Sequence, residues 1–87
     1  VAEVVGKLLR ALGQRHQVLC VTHLPQVAAC AHQHFEVSKQ LNDGVTTSQI
    51  SLLSEGERIQ EIARMLGGMK ITETTRQHAQ EMLAHQD

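Results

Sequence analysis

Val18-Leu19-Cys20-Val21-Thr22-His23-Leu24-Pro25-Gln26-Val27-Ala28 is the stretch on which the fold turns. Residues 18–22 form a short apolar run rich in β-branched side chains. It lacks polar alternation, as does a central parallel strand covered on both faces. Pro25 suits the first turn of a helix, where its missing N–H leaves no bond unmade. The spacing predicts a helix over 25–31. In α/β proteins ligands collect at such strand ends, where backbone and side chains face a crevice. His23 sits at that corner and is the first candidate for function.

Working outward, Val5, Leu8, Leu9 and Leu12 recur at helical spacing, with Lys7, Arg10 and Gln14 opposite. They predict an amphipathic helix over 2–12, stopped by Gly13. Gly6 inside it costs roughly 1 kcal/mol relative to Ala, so close packing is expected there. Residues 34–40 and 45–53 read as strands around the turn Asn42-Asp43-Gly44, an antiparallel hairpin over 34–53. Ser54 and Glu57 have capping-box spacing and open a helix over 55–66, with Ile59, Ile62, Ala63 and Leu66 as its stripe and Gly67-Gly68 as its stop. A last helix is expected over 72–85, capped by Thr72. Its face of Thr75, Ala79, Met82 and Leu83 is weak, which predicts the least firmly packed element.

The order is helix, strand, helix, strand, strand, helix, helix in a single α/β domain. One buried-type strand without a second of its kind leaves the sheet incomplete. Together with a start at Val1, inside a helical pattern, this reads as a segment of a longer protein.

Composition narrows the function classes. The formal charge is −1, charges of both signs are interspersed, and Phe35 is the only aromatic residue among 87. Phosphate neutralisation and base stacking both lack their groups, which argues against direct nucleic-acid binding by this segment. No apolar run approaches the ~18 residues that span a bilayer, and no secretory signal is visible. Two cysteines, Cys20 and Cys30, make no disulfide framework and fit a reducing cytosol.

An imidazole at a strand end can contact a phosphate oxygen or position a water, because one ring nitrogen donates while the other accepts. It can equally cap the next turn. Cys30, His32 and His34 fall on one face of an extended chain and are all zinc-ligand types. No CxxC or HxxxH partner accompanies them, and a helix end leading into a strand explains them as well. Gly67-Gly68 follows a helix, whereas anion binding needs amides at a helix start. Met65, Met69 and Met82 read as core filler. Glu57, Arg58, Glu61 and Arg64 read as a solvated face with i,i+3 pairs. No GxxxxGK[ST] cradle occurs, and no carboxylate pair or Ser-His-Asp set stands out.

The segment from Val18 to Ala28 resembles the switch-histidine region of ABC-type ATPases. Thr22-His23-Leu24-Pro25-Gln26-Val27-Ala28 is most similar to the RecN family, SMC-like bacterial proteins of DNA repair. Val4-Val5-Gly6-Lys7-Leu8-Leu9, His32-Gln33-His34-Phe35-Glu36-Val37-Ser38-Lys39 and Glu61-Ile62-Ala63-Arg64-Met65-Leu66-Gly67-Gly68 extend the likeness over essentially the whole chain.

The resemblance implies the C-terminal part of a P-loop ATPase head, with one buried parallel-type strand, an antiparallel hairpin and about four helices. It implies that His23 contacts the ATP γ-phosphate and positions the attacking water, with Thr22 and Gln26 flanking it as further cofactor-binding residues. The phosphate loop, signature motif and Walker B carboxylates would lie elsewhere in the longer protein. ATP and Mg2+ would be bound there, and the isolated segment would bind nucleotide poorly and not turn it over. Implied partners are the rest of the head, a second head, and DNA through the longer protein, which would be cytoplasmic and nucleoid-associated. A cut strand edge would favour dimerisation of the segment. The alternatives from the residues alone are a non-enzymatic α/β interaction module with a structural His23, or a small zinc-binding domain.

Overall fold

The computed structural model describes residues 1–86. Its elements are α1 (Ala2–Leu12), α2 (Pro25–Ala28), β1 (Phe35–Asn42), β2 (Val45–Leu52), α3 (Glu55–Gly67) and α4 (Glu73–Ala84). The α/β class and the four helices agree with the sequence reading.

The hairpin forms for the reason the turn residues give. Asp43 and Gly44 both take positive φ, 52° and 78°, as a two-residue type I′ loop requires. The register pairs Asn42 with Val45 and Phe35 with Leu52. Successive side chains alternate between faces, so Phe35, Val37, Leu41, Ile50 and Leu52 share one face. All five are exposed.

At the start of α3, the Ser54 hydroxyl accepts from the Glu57 N–H at 3.3 Å, and the Glu57 carboxylate accepts from the Ser54 N–H at 2.9 Å. This is the expected capping box. The latter bond holds the Glu57 carboxyl below its usual range. Thr72 caps α4 by accepting from the Thr75 N–H.

The core is small and made of small residues. Ala28, Ala29, Ile62, Ala63 and Ala79 are buried together, flanked by Ile59, Met65, Leu66, Ile71, Met82 and Leu83. Helix α4, expected to be the loosest element, places Ala79 at full burial in this cluster. Its small side chain permits close helix approach, which a scale of residue hydrophobicity does not register. Helix α1 departs in the opposite sense. Its stripe of Val5, Leu8 and Leu12 is exposed, and the point of docking is Gly6.

A second departure concerns residues 18–22. In place of the expected buried strand there is an irregular segment without a ladder partner among the described residues. Leu19 is 89% and Val21 97% exposed. β-propensity measures fit to a neighbouring strand and a covering layer, and this segment has neither here. Likewise the helix predicted over 25–31 is regular only over Pro25–Ala28 and continues as a turn.

Candidate functional site

His23 stands on a bend between the irregular 18–22 segment and α2, with its side chain exposed. The corner is fixed locally. The Thr22 hydroxyl accepts a 3.0 Å bond from the Leu24 N–H. Leu24 is extended at φ −97° and ψ 118°, as a residue before proline must be. Pro25 then opens α2.

A helix of four residues cannot hold itself in water, so its own bonds need support from its surroundings. Its carbonyls can be accounted for one by one. Leu24 O accepts from the Val27 and Ala28 N–H groups, Pro25 O from Ala29, and Val27 O from Cys30. Gln26 O accepts from the Cys30 thiol at 3.3 Å. Two arginines supply the outer donors. Arg10 of α1 donates to Cys30 O at 2.8 Å. Arg58 of α3 donates to Ala31 O at 3.0 Å and to Ala28 O at 3.4 Å.

Sequence reasoning placed Arg58 on a solvated face, but it is buried. The signal was present: Arg58 precedes Ile62 by four residues and so lies on the apolar stripe. Glu57 and Arg64 are exposed as expected, whereas the Glu61 side chain, which pairs with Arg64, is only 12% exposed. This pairing lowers the Glu61 carboxyl from its ordinary value.

Of the flanking candidates, Thr22 shapes the His23 corner. Gln26 instead borders a shallow groove of about 270 Å³ between α1 and α4, with Glu3, Lys7, His78 and Glu81 on its other walls. His23 lies outside this groove. Cys30, His32 and His34 do not converge: Cys30 is buried against Gly6, His32 is exposed, and no group of three such residues able to hold a metal forms among the described residues. Burial raises the Cys30 thiol pKa, which makes it a poor thiolate ligand.

His34 has a different role. Its carbonyl accepts from the Leu53 N–H at 2.9 Å and closes the base of the hairpin. Its Nδ1 is buried without a partner. Burial, and then the Arg58 guanidinium, lower its pKa from 6.5, and Glu61 opposes them. A neutral imidazole in the fold and a titrating one in the unfolded chain make the unfolded state bind more protons. Stability is therefore full above pH 6.5 and falls as pH drops from there towards the lowered folded-state value. We expect urea midpoints to fall between pH 7.5 and pH 5.5, and the fall to shrink in His34→Gln. An unchanged slope in that variant would assign the titration elsewhere.

No helix among the described residues is long and apolar enough to cross a membrane. No protein-family profile matches the chain. Individual relatives match it closely. It is 57% identical over 83 residues to the DNA repair protein RecN of Xylella fastidiosa, covering 95% of the chain and 15% of that protein. It is 56% identical over 82 residues to the DNA repair protein RecN of Vibrio cholerae, covering 94% and 15%. Against the protein of the same name from Bacillus subtilis, identity is 42% over 87 residues, covering 100% and 15%. The chain thus spans about 15% of the length of these relatives. Over the stretch it does span, which is nearly all of itself, the chain belongs to the RecN family.

Proposed function

We propose that this chain is a C-terminal segment of a RecN-like ATPase head acting in repair of DNA double-strand breaks, and that it contributes His23 to ATP hydrolysis. The observation that carries this reading is the 57% identity to a DNA repair protein over 95% of the chain. The exposed imidazole at a fixed corner before Pro25 is compatible with it, because the ring is free to meet a ligand delivered from outside.

The residues present fit one contact and no more. An imidazole can donate to a γ-phosphate oxygen and orient a water. The described residues include no glycine-rich phosphate cradle and no carboxylate pair for Mg2+. Nucleotide and metal would be held by other parts of the longer protein. Phosphoryl transfer depends on several groups acting at once, so the segment alone is inactive. In the same reading, residues 18–22 join a parallel sheet built by the rest of the head, which covers Leu19 and Val21. Without it, their free backbone edge favours pairing with a second chain.

In the full-length protein, His23→Ala should lower kcat for Mg-dependent ATP hydrolysis by about 10²–10³-fold, the loss usual for one transition-state donor. KM for ATP should change little, because the phosphate cradle lies elsewhere. Steady-state kinetics on the two proteins decides the matter. A kcat within threefold of wild type overturns the role of His23, and ATP turnover by the isolated 87 residues overturns the shared-site reading.

A further inference from the structure

We infer that Arg58 is a positioning residue for His23. It clamps from α3 the short turn that begins beside that histidine, an inference that rests on the hydrolytic role proposed for His23. The path is continuous. Arg58 holds Ala28 O and Ala31 O at the far end of the turn. The Val27 and Ala28 N–H groups hold Leu24 O, and the Leu24 N–H holds the Thr22 hydroxyl. His23 lies between Thr22 and Leu24, so the corner that carries it is tied at its C-terminal side to α3.

Arg58 is an expensive residue for a merely structural place. It is buried at 8% exposure, and its Nε has no hydrogen-bond partner. Burial also lowers its guanidinium pKa. An apolar side chain of similar length would fill the volume without desolvating a charge, and such replacements are often neutral or stabilising. What an apolar chain cannot do is donate to two carbonyls 27 and 30 residues away in sequence. The arginine therefore fixes where α2 sits on α3, and through it where His23 sits. A displacement near 1 Å in a reacting group can cost about 10²-fold in rate.

The test uses the full-length protein with Arg58→Met, Arg58→Lys, His23→Ala and the double variant His23→Ala with Arg58→Met. Arg58→Met should lower kcat about tenfold with KM for ATP within twofold. Added to His23→Ala it should cause no further loss, because the residue acts through the histidine. Hydrogen exchange, read without nucleotide, should quicken about tenfold at the amides of residues 27–31 and stay unchanged in α4. Arg58→Lys keeps one donor and should recover part of both effects; it carries the test if the methionine variant does not fold. A kcat for Arg58→Met within twofold while His23→Ala is impaired overturns this inference alone, as does a full additive loss in the double variant. Unchanged kcat in His23→Ala overturns both this inference and the role of His23.

Discussion

Ile62→Asp is expected to unfold the chain at 25 °C. Ile62 is fully buried and is one of the two largest side chains at that depth. It lies in α3 within a cluster whose other buried members are Ala28, Ala29, Ala63 and Ala79. Removing a buried isoleucine down to alanine size costs about 2–5 kcal/mol. The aspartate adds a carboxylate to a site where four alanines offer no polar side chain. It must either remain charged and unpaired or take up a proton, and either adds several kcal/mol. A domain of 87 residues has roughly 4–13 kcal/mol of stability in all. The two terms together reach that range. Far-UV circular dichroism should show loss of helix, and no cooperative urea transition should remain. Ile62→Val, which removes one methyl group, should cost only about 0.5–1.5 kcal/mol and keep the transition. A wild-type urea midpoint for the aspartate variant would mean that α3 and α4 do not enclose this side chain.

The expected cost is concentrated at one residue because the core has so few large ones, and that economy marks the limit of what the sequence discloses. Local signals were legible. The Asp43-Gly44 loop, the Ser54–Glu57 box and the Thr72 cap each depend on residues within a few positions, and each forms as read. Signals that depend on what lies opposite were not. The apolar run at 18–22 has strand character, but a strand exists only with a neighbour to bond. The stripe of α1 has the right period, yet the helix docks on its glycine side. Arg58 was misread because a charged residue on an apolar stripe is taken for a solvated one unless its distant acceptors are known. At the candidate site the sequence singled out His23 and its neighbour Thr22, and the structure adds the bond by which Thr22 shapes the corner and two further supports, Arg10 and Arg58.

Gly6→Val should separate α1 from α2 and destabilise the chain by up to about 3 kcal/mol. Two effects compete. Valine is a slightly better helix former than glycine, which favours the variant by a few tenths of a kcal/mol. Against this, a Cβ at position 6 would stand 2.8 Å from the Cys30 Sγ, 3.1 Å from the Gln26 carbonyl oxygen and 3.2 Å from the Cys30 Cβ. Overpacking of this kind costs about 1–3 kcal/mol, so the clash wins. Its consequences also converge. The Gln26 carbonyl accepts from the Cys30 thiol, and the next turn of α1 carries the Arg10 that holds Cys30 O. Pushing the helices apart strains the Arg10 bond that fastens the 24–31 turn to α1 and crowds the Cys30–Gln26 bond within that turn. Urea unfolding of Gly6→Val in the wild-type and Cys30→Ala backgrounds separates the causes. Deleting the sulfur removes the 2.8 Å contact and leaves the carbonyl at 3.1 Å, so the cost of Gly6→Val should shrink without vanishing. Equal costs in the two backgrounds would show that Cys30 is not the surface on which α1 docks.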